Sequence, residues 1–150
     1  MKGFVFRYQR ILKQREDEEE EVKTKLGKAN HKLQTLLANK SSVLSSQATF
    51  FDSIQNQLSG GIRTSDLQRF EQSKLHFKDK LESLESQIVD VQLNIIQIKK
   101  ELTEAVKQRK IMEKLKEKEY EAYIDAVNAA ESKVIEEIVN YRSSQKSGDS

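Results

Sequence analysis

Two histidines, His31 and His76, a wealth of carboxylates and one glycine pair are the residues of this chain that could do chemistry. Histidine would supply a metal ligand or a general base, and paired carboxylates a general acid and base, provided a second group is held close by. There is no cysteine, so a thiolate nucleophile, a zinc thiolate set and a disulfide framework are all excluded. Gly60-Gly61 would cradle a phosphate only if Gly-Lys-Ser or Gly-Lys-Thr followed a strand, and Ile62 and Arg63 stand there instead. The pair therefore reads as a turn. With 26 basic against 24 acidic side chains the net charge is +2, too weak a field for nucleic-acid binding. Neither catalysis nor a cofactor, metal or small-molecule substrate is expected.

Binding is better represented than catalysis. Phe4, Phe6 and Tyr8 crowd three aromatics into five residues, to cap a helix pair against Leu115 and Tyr120 or to dock into another protein. Tyr123, Val127, Ala130, Val134, Ile138 and Tyr141 recur at helical spacing and make an amphipathic stripe, to meet a partner surface or else to fray or fold back. Leu36, Val43 and Phe50 recur at seven beside a second row, Leu37, Leu44 and Phe51. The apolar stretch from Gly3 to Phe6 is too short for a signal-peptide core or a membrane span, and a cytoplasmic setting is the default.

The elements that position these residues follow from composition and period. One third of the residues are charged, proline is absent and glycine is scarce, as in long helices. From Leu67 an apolar stripe runs through Phe70, Lys74, Phe77, Leu81, Leu84, Ile88, Val91, Ile95, Ile98, Leu102, Ala105, Arg109 and Met112 in unbroken three-four alternation. A matching stripe in the first half includes Leu12, Glu19, Val22, Leu26, Ala29, Leu33, Leu37, Lys40, Leu44, Phe51 and Leu58, with a stutter between Ala29 and Leu37. The spacing predicts an all-α fold, a long antiparallel two-helix coiled coil whose second helix extends beyond the first. Its parts are a helix over about 4–58, a turn over 59–65, a helix over about 66–142 and a disordered tail over 143–150, all one unit. Ser65 and Gln68 are expected to form a capping box. A first helix of that length would span roughly 80 Å.

A hairpin requires facing residues whose numbers have a constant sum, and the stripes meet this condition. Leu26 with Ile98, Leu33 with Val91 and Leu12 with Met112 all give 124, and half of that falls on the glycine turn. Arg15 and Arg109 share a layer, with Glu16, Glu19 and Glu113 within a turn, which predicts a polar layer that specifies register, a functional hinge being the alternative reading. The acidic run from Glu16 to Glu21 comes beside Lys107, Arg109 and Lys110. Both histidines lie off the seam and far apart, as surface residues.

Three landmarks in order resemble the FliJ family of the bacterial flagellar export apparatus. They are Phe4-Val-Phe6-Arg7-Tyr8 leading into Glu16 and Glu18 to Glu21, the Gly61-Ile62 turn with Leu67 and Phe70, and Arg109-Lys110 through Lys118. The resemblance implies a stalk-like export component whose terminal end, Phe4, Phe6, Tyr8, Leu115, Tyr120, Tyr123 and Val127, engages the hexameric export ATPase. It implies contact with the export gate near the tip, through Asn39, Val43, Ser46 and Phe50 on one helix and Phe77 and Leu84 on the other. Leu84 is also expected on the seam. The ATPase regulator and export chaperones are implied partners, with peripheral association at the cytoplasmic face of the membrane through them. A generic coiled-coil scaffold or holdase-type chaperone is the competing reading.

Overall fold

The computed structural model describes residues 3–148 and contains two helices, α1 (Gln9–Leu58) and α2 (Thr64–Gly148). Within residues 20–103 they pair as an antiparallel helical hairpin, and α2 is the longer helix. Contacts divide the chain into two compact units, Glu20–Thr103 and Met1–Glu19 with Glu104–Ser150.

Within Glu20–Thr103 the core is a single row of interlocking side chains. Ala29, Leu36 and Val43 of α1 meet Leu84, Ile88, Val91, Ile95 and Ile98 of α2, flanked by Val22, Leu26, Leu33, Phe77 and Leu81. Ile98 is the most enclosed, at 1% exposure. Direction and register are visible in the ion pairs: Lys25 reaches Glu101 at 3.1 Å and Lys40 reaches Glu85 at 3.5 Å, so ascending numbers on one helix meet descending numbers on the other. Lys40 lays its half-buried stem along the seam and carries its ammonium out to the carboxylate. Such exposed pairs contribute at most about 1 kcal/mol each and select alignment more than they stabilise.

The first helix departs from the expected seam. Leu36 and Val43 are buried at 7% and 8%, whereas Leu37 and Leu44 stand 45% and 44% exposed. The buried and half-buried positions Ala29, Leu33, Leu36, Lys40, Val43, Gln47, Phe50 and Ile54 keep the three-four alternation throughout. The stutter is therefore absent, and the row at 37, 44 and 51 is the flank. The physical reason is that neighbouring residues point about 100° apart on a helix. Only one of two adjacent apolar rows can face α2, and the unbroken period is the one that stays aligned with it.

At the turn, Gly61 adopts φ +88°, which an L side chain rarely tolerates, so the reversal depends on this position. The carbonyl of Arg63 accepts from the amides of Asp66 at 3.0 Å and Leu67 at 3.2 Å. The second helix thus begins at Thr64, and Ser65 lies inside its first turn and not at the cap. Asp66 still favours the dipole there.

In the other unit, α1 begins at Gln9 and not near residue 4. Residues 3–6 have no regular structure, and Val5 is 82% exposed while Phe6 is buried and Phe4 half-buried, the alternation of an extended segment. Helix bonding begins when the amide of Leu12 donates to the Tyr8 carbonyl at 3.0 Å. At the far end α2 runs past residue 142 to Gly148. Among the small polar residues there, Gln145 donates to the Tyr141 hydroxyl at 2.8 Å and Ser147 to the Ser144 carbonyl at 3.3 Å. Residues 149 and 150 of the expected tail lie outside the described residues.

Candidate partner-binding surfaces

The terminal aromatics owe their positions to the extended entry segment. Phe4 lies edge-on to Tyr120 with ring centroids 5.3 Å apart, and 5.6 Å from Tyr123. Phe6 meets Tyr8 at 6.0 Å, and the Lys116 ammonium lies 6.0 Å from the Phe6 ring, the outer limit of a cation–π contact. The same lysine donates to the Gln9 side-chain oxygen at 3.0 Å. Leu12 is buried, while Tyr8, Leu115, Tyr123 and Val127 are half-buried and Tyr120 is about half exposed. Phe6 is thus a clamp between the entry segment and α2, and what this cluster offers to solvent is Val5, Tyr120 and the outer edges of Phe4 and Tyr8.

One turn deeper, Glu19 is buried at 5% and takes both the Nε and an Nη of Arg109. Arg109 also donates to Glu113 at 2.8 Å, and Arg15 pairs with Glu18 at 3.1 Å. The hydrogen bonds that Arg109 donates to Glu19 first and to Glu113 second hold the guanidinium above its ordinary pKa. The expected polar layer is present, and the two arginines escape each other by turning to different carboxylates. Of the acidic run, Glu16, Glu20 and Glu21 are exposed.

Along α2 every residue from 128 to 148 is exposed. Val134, Ile138 and Tyr141 of the expected stripe are joined by Ile135 and Val139, which sequence reading left out. Ala130, Val134 and Ile135 line a shallow apolar hollow with Glu131 at its edge. The signal for Ile135 and Val139 was their four-residue spacing, one position over from the stripe.

Near the turn the six residues of the second expected surface separate. Val43 and Leu84 are buried in the seam, which takes them off any exposed face; for Val43 this follows from the seam running through 36 and 43. Phe50 and Phe77 are half-buried, 5.6 Å apart, in a cluster with Phe51 and Phe70, where Phe50 and Phe70 stack at 6.0 Å. Asn39 and Ser46 are exposed. His76 is exposed 6.2 Å from the Phe77 ring, and His31 is exposed on α1. Among the described residues no group of three metal-ligating side chains comes together, and no helix is long and apolar enough to cross a membrane.

Against this geometry, a family model described as the flagellar FliJ protein matches residues 4–148. No curated protein and no solved structure matches.

Proposed function

The chain belongs to the flagellar FliJ family and so to the flagellar export apparatus, and from that membership we propose that it acts there as a stalk-like, non-catalytic subunit that binds the hexameric export ATPase. The observation that carries this reading is the exposed apolar face of Val134, Ile135, Ile138, Val139 and Tyr141 on an intact helix. Such a face costs free energy in water and gains it back in an apolar partner groove. Tyr120, Tyr123 and Val127, with half-buried Leu115, extend the face toward the aromatic clamp, so Phe4 and Phe6 act by holding the entry segment in place. The proposed gate contact uses Asn39 and Ser46 with the outer edges of Phe50 and Phe77. The ATPase regulator and export chaperones are proposed as further partners, and the chain reaches the cytoplasmic face of the membrane through them.

The test is to add the purified chain to the flagellar export ATPase and follow hexamer assembly by light scattering and hydrolysis by phosphate release. Both are expected to rise. The double variant Val134→Asp with Ile138→Asp should lose most of the effect at unchanged helicity. Assembly and hydrolysis that ignore the wild-type chain would leave a scaffold with an unrelated client as the better reading.

A further inference from the structure

From residue 128 onward α2 is bare, and its apolar face carries two charges of opposite sign. With about 100° between neighbours, Ala130, Val134, Ile138 and Tyr141 form one side of that face, and Glu131, Ile135 and Arg142 the other. Among the described residues neither Glu131 nor Arg142 forms an ion pair. A charge set in an apolar face favours a partner that presents the opposite charge at the same place. The chain itself is such a partner. Glu131 and Arg142 are equidistant from the point between Glu136 and Glu137, and so are Ile135 and Ile138, and Val134 and Val139. Ala130 and Tyr141, a small and a large side chain, are centred only one residue away.

We propose that two copies of the chain pair the ends of their second helices antiparallel about this point. Glu131 of each copy then meets Arg142 of the other, Ile135 meets Ile138, and Tyr141 enters the shallow hollow lined by Ala130, Glu131, Val134 and Ile135. Glu136 points to the back of the helix, and Val139 adds apolar area along one rim. On the other rim Glu137 faces its own copy, with Lys133 one turn away, in a setting that water and salt screen. The Glu131–Arg142 pairs, two for each dimer, lie instead among apolar side chains. A parallel pairing would set Glu131 against Glu131 and Arg142 against Arg142. Residue 128 falls opposite residue 145, so the copies overlap along about 26 Å of bare helix at 1.5 Å per residue. One helix face of that length buries less than the roughly 800 Å² per partner of a standard interface, which makes this a weak, reversible dimer with Kd on the order of 100 µM. It covers Val134 and Ile138, so a second copy and the ATPase exclude each other there, but the pairing does not rest on the ATPase reading.

Sedimentation velocity of the full-length chain alone tests the pairing, with no ATPase present, so that failure here leaves the ATPase reading untouched. The wild type should self-associate, and Arg142→Glu and Glu131→Arg should each weaken association by at least about fivefold at unchanged helicity. Exchanging both charges in one chain, Glu131→Arg with Arg142→Glu, should restore it to within about twofold of the wild type. A wild-type chain that stays monomeric up to about 1 mM overturns the proposal. So does an unaltered association in Arg142→Glu, as a parallel pair would give, or a double exchange that associates no better than the single variants.

Discussion

Adjacent leucines of the same chemistry do different work in α1. Leu36 is enclosed and Leu37 is not, so Leu36→Ala should destabilise the chain by about 2–4 kcal/mol through lost burial and a residual cavity. Leu37→Ala should cost less than about 1 kcal/mol. Thermal unfolding followed by circular dichroism separates the two, and equal losses would contradict the seam described above. The polar layer makes a second residue-scale prediction. Arg109 grips Glu19 with two nitrogens of a planar fork, so Arg109→Lys keeps the charge but loses the paired geometry and should lower Tm by a few degrees. Glu19→Gln should do the same by removing the charge that faces the guanidinium. The pKa of Arg109 is raised on folding, so its contribution is complete below the ordinary arginine value and lost only as pH rises through the higher folded one. Across the neutral range the effect of Arg109→Lys should therefore be flat with pH.

At the scale of elements, two glycines make opposite predictions. Gly61 holds a positive φ that the reversal needs, and an added methyl group would meet no neighbour there. Any loss in Gly61→Ala is then backbone strain alone, about 1 kcal/mol, visible as a lower urea midpoint. Gly27 sits inside α1 with open space around it. Gly27→Ala should raise stability by roughly 0.5–1 kcal/mol, because alanine gives up less backbone freedom on entering a helix. An unchanged midpoint in both variants would mean that the local conformations described here are not those in solution. The element ends were less legible than their interiors. No Ser, Thr, Asp or Asn cap marks the entry at Tyr8, and the small polar composition after Arg142 hides that no proline or glycine interrupts α2 before Gly148.

For the molecule as a whole, length and period were readable before any coordinates, whereas exposure was not. Repetition over many turns leaves few ways to pair Leu67–Met112 with the first half, and the glycine turn must lie at the midpoint of that pairing. The α2 seam from Phe77 to Met112 is accordingly where the spacing predicted it, and Lys40 with Glu85 keeps the predicted sum of 125. Two rows one residue apart, 36-43-50 and 37-44-51, have identical periods, and nothing along the chain ranks them. The choice belongs to the partner helix, because a side chain becomes core only when a second surface closes over it. The same holds for the two expected surfaces. Their residue types were visible in the sequence, but burial of Phe6, Val43 and Leu84, and exposure of Asn39, Ser46 and the face from Val134 to Tyr141, arise only once two helices divide one set of apolar groups between seam and solvent.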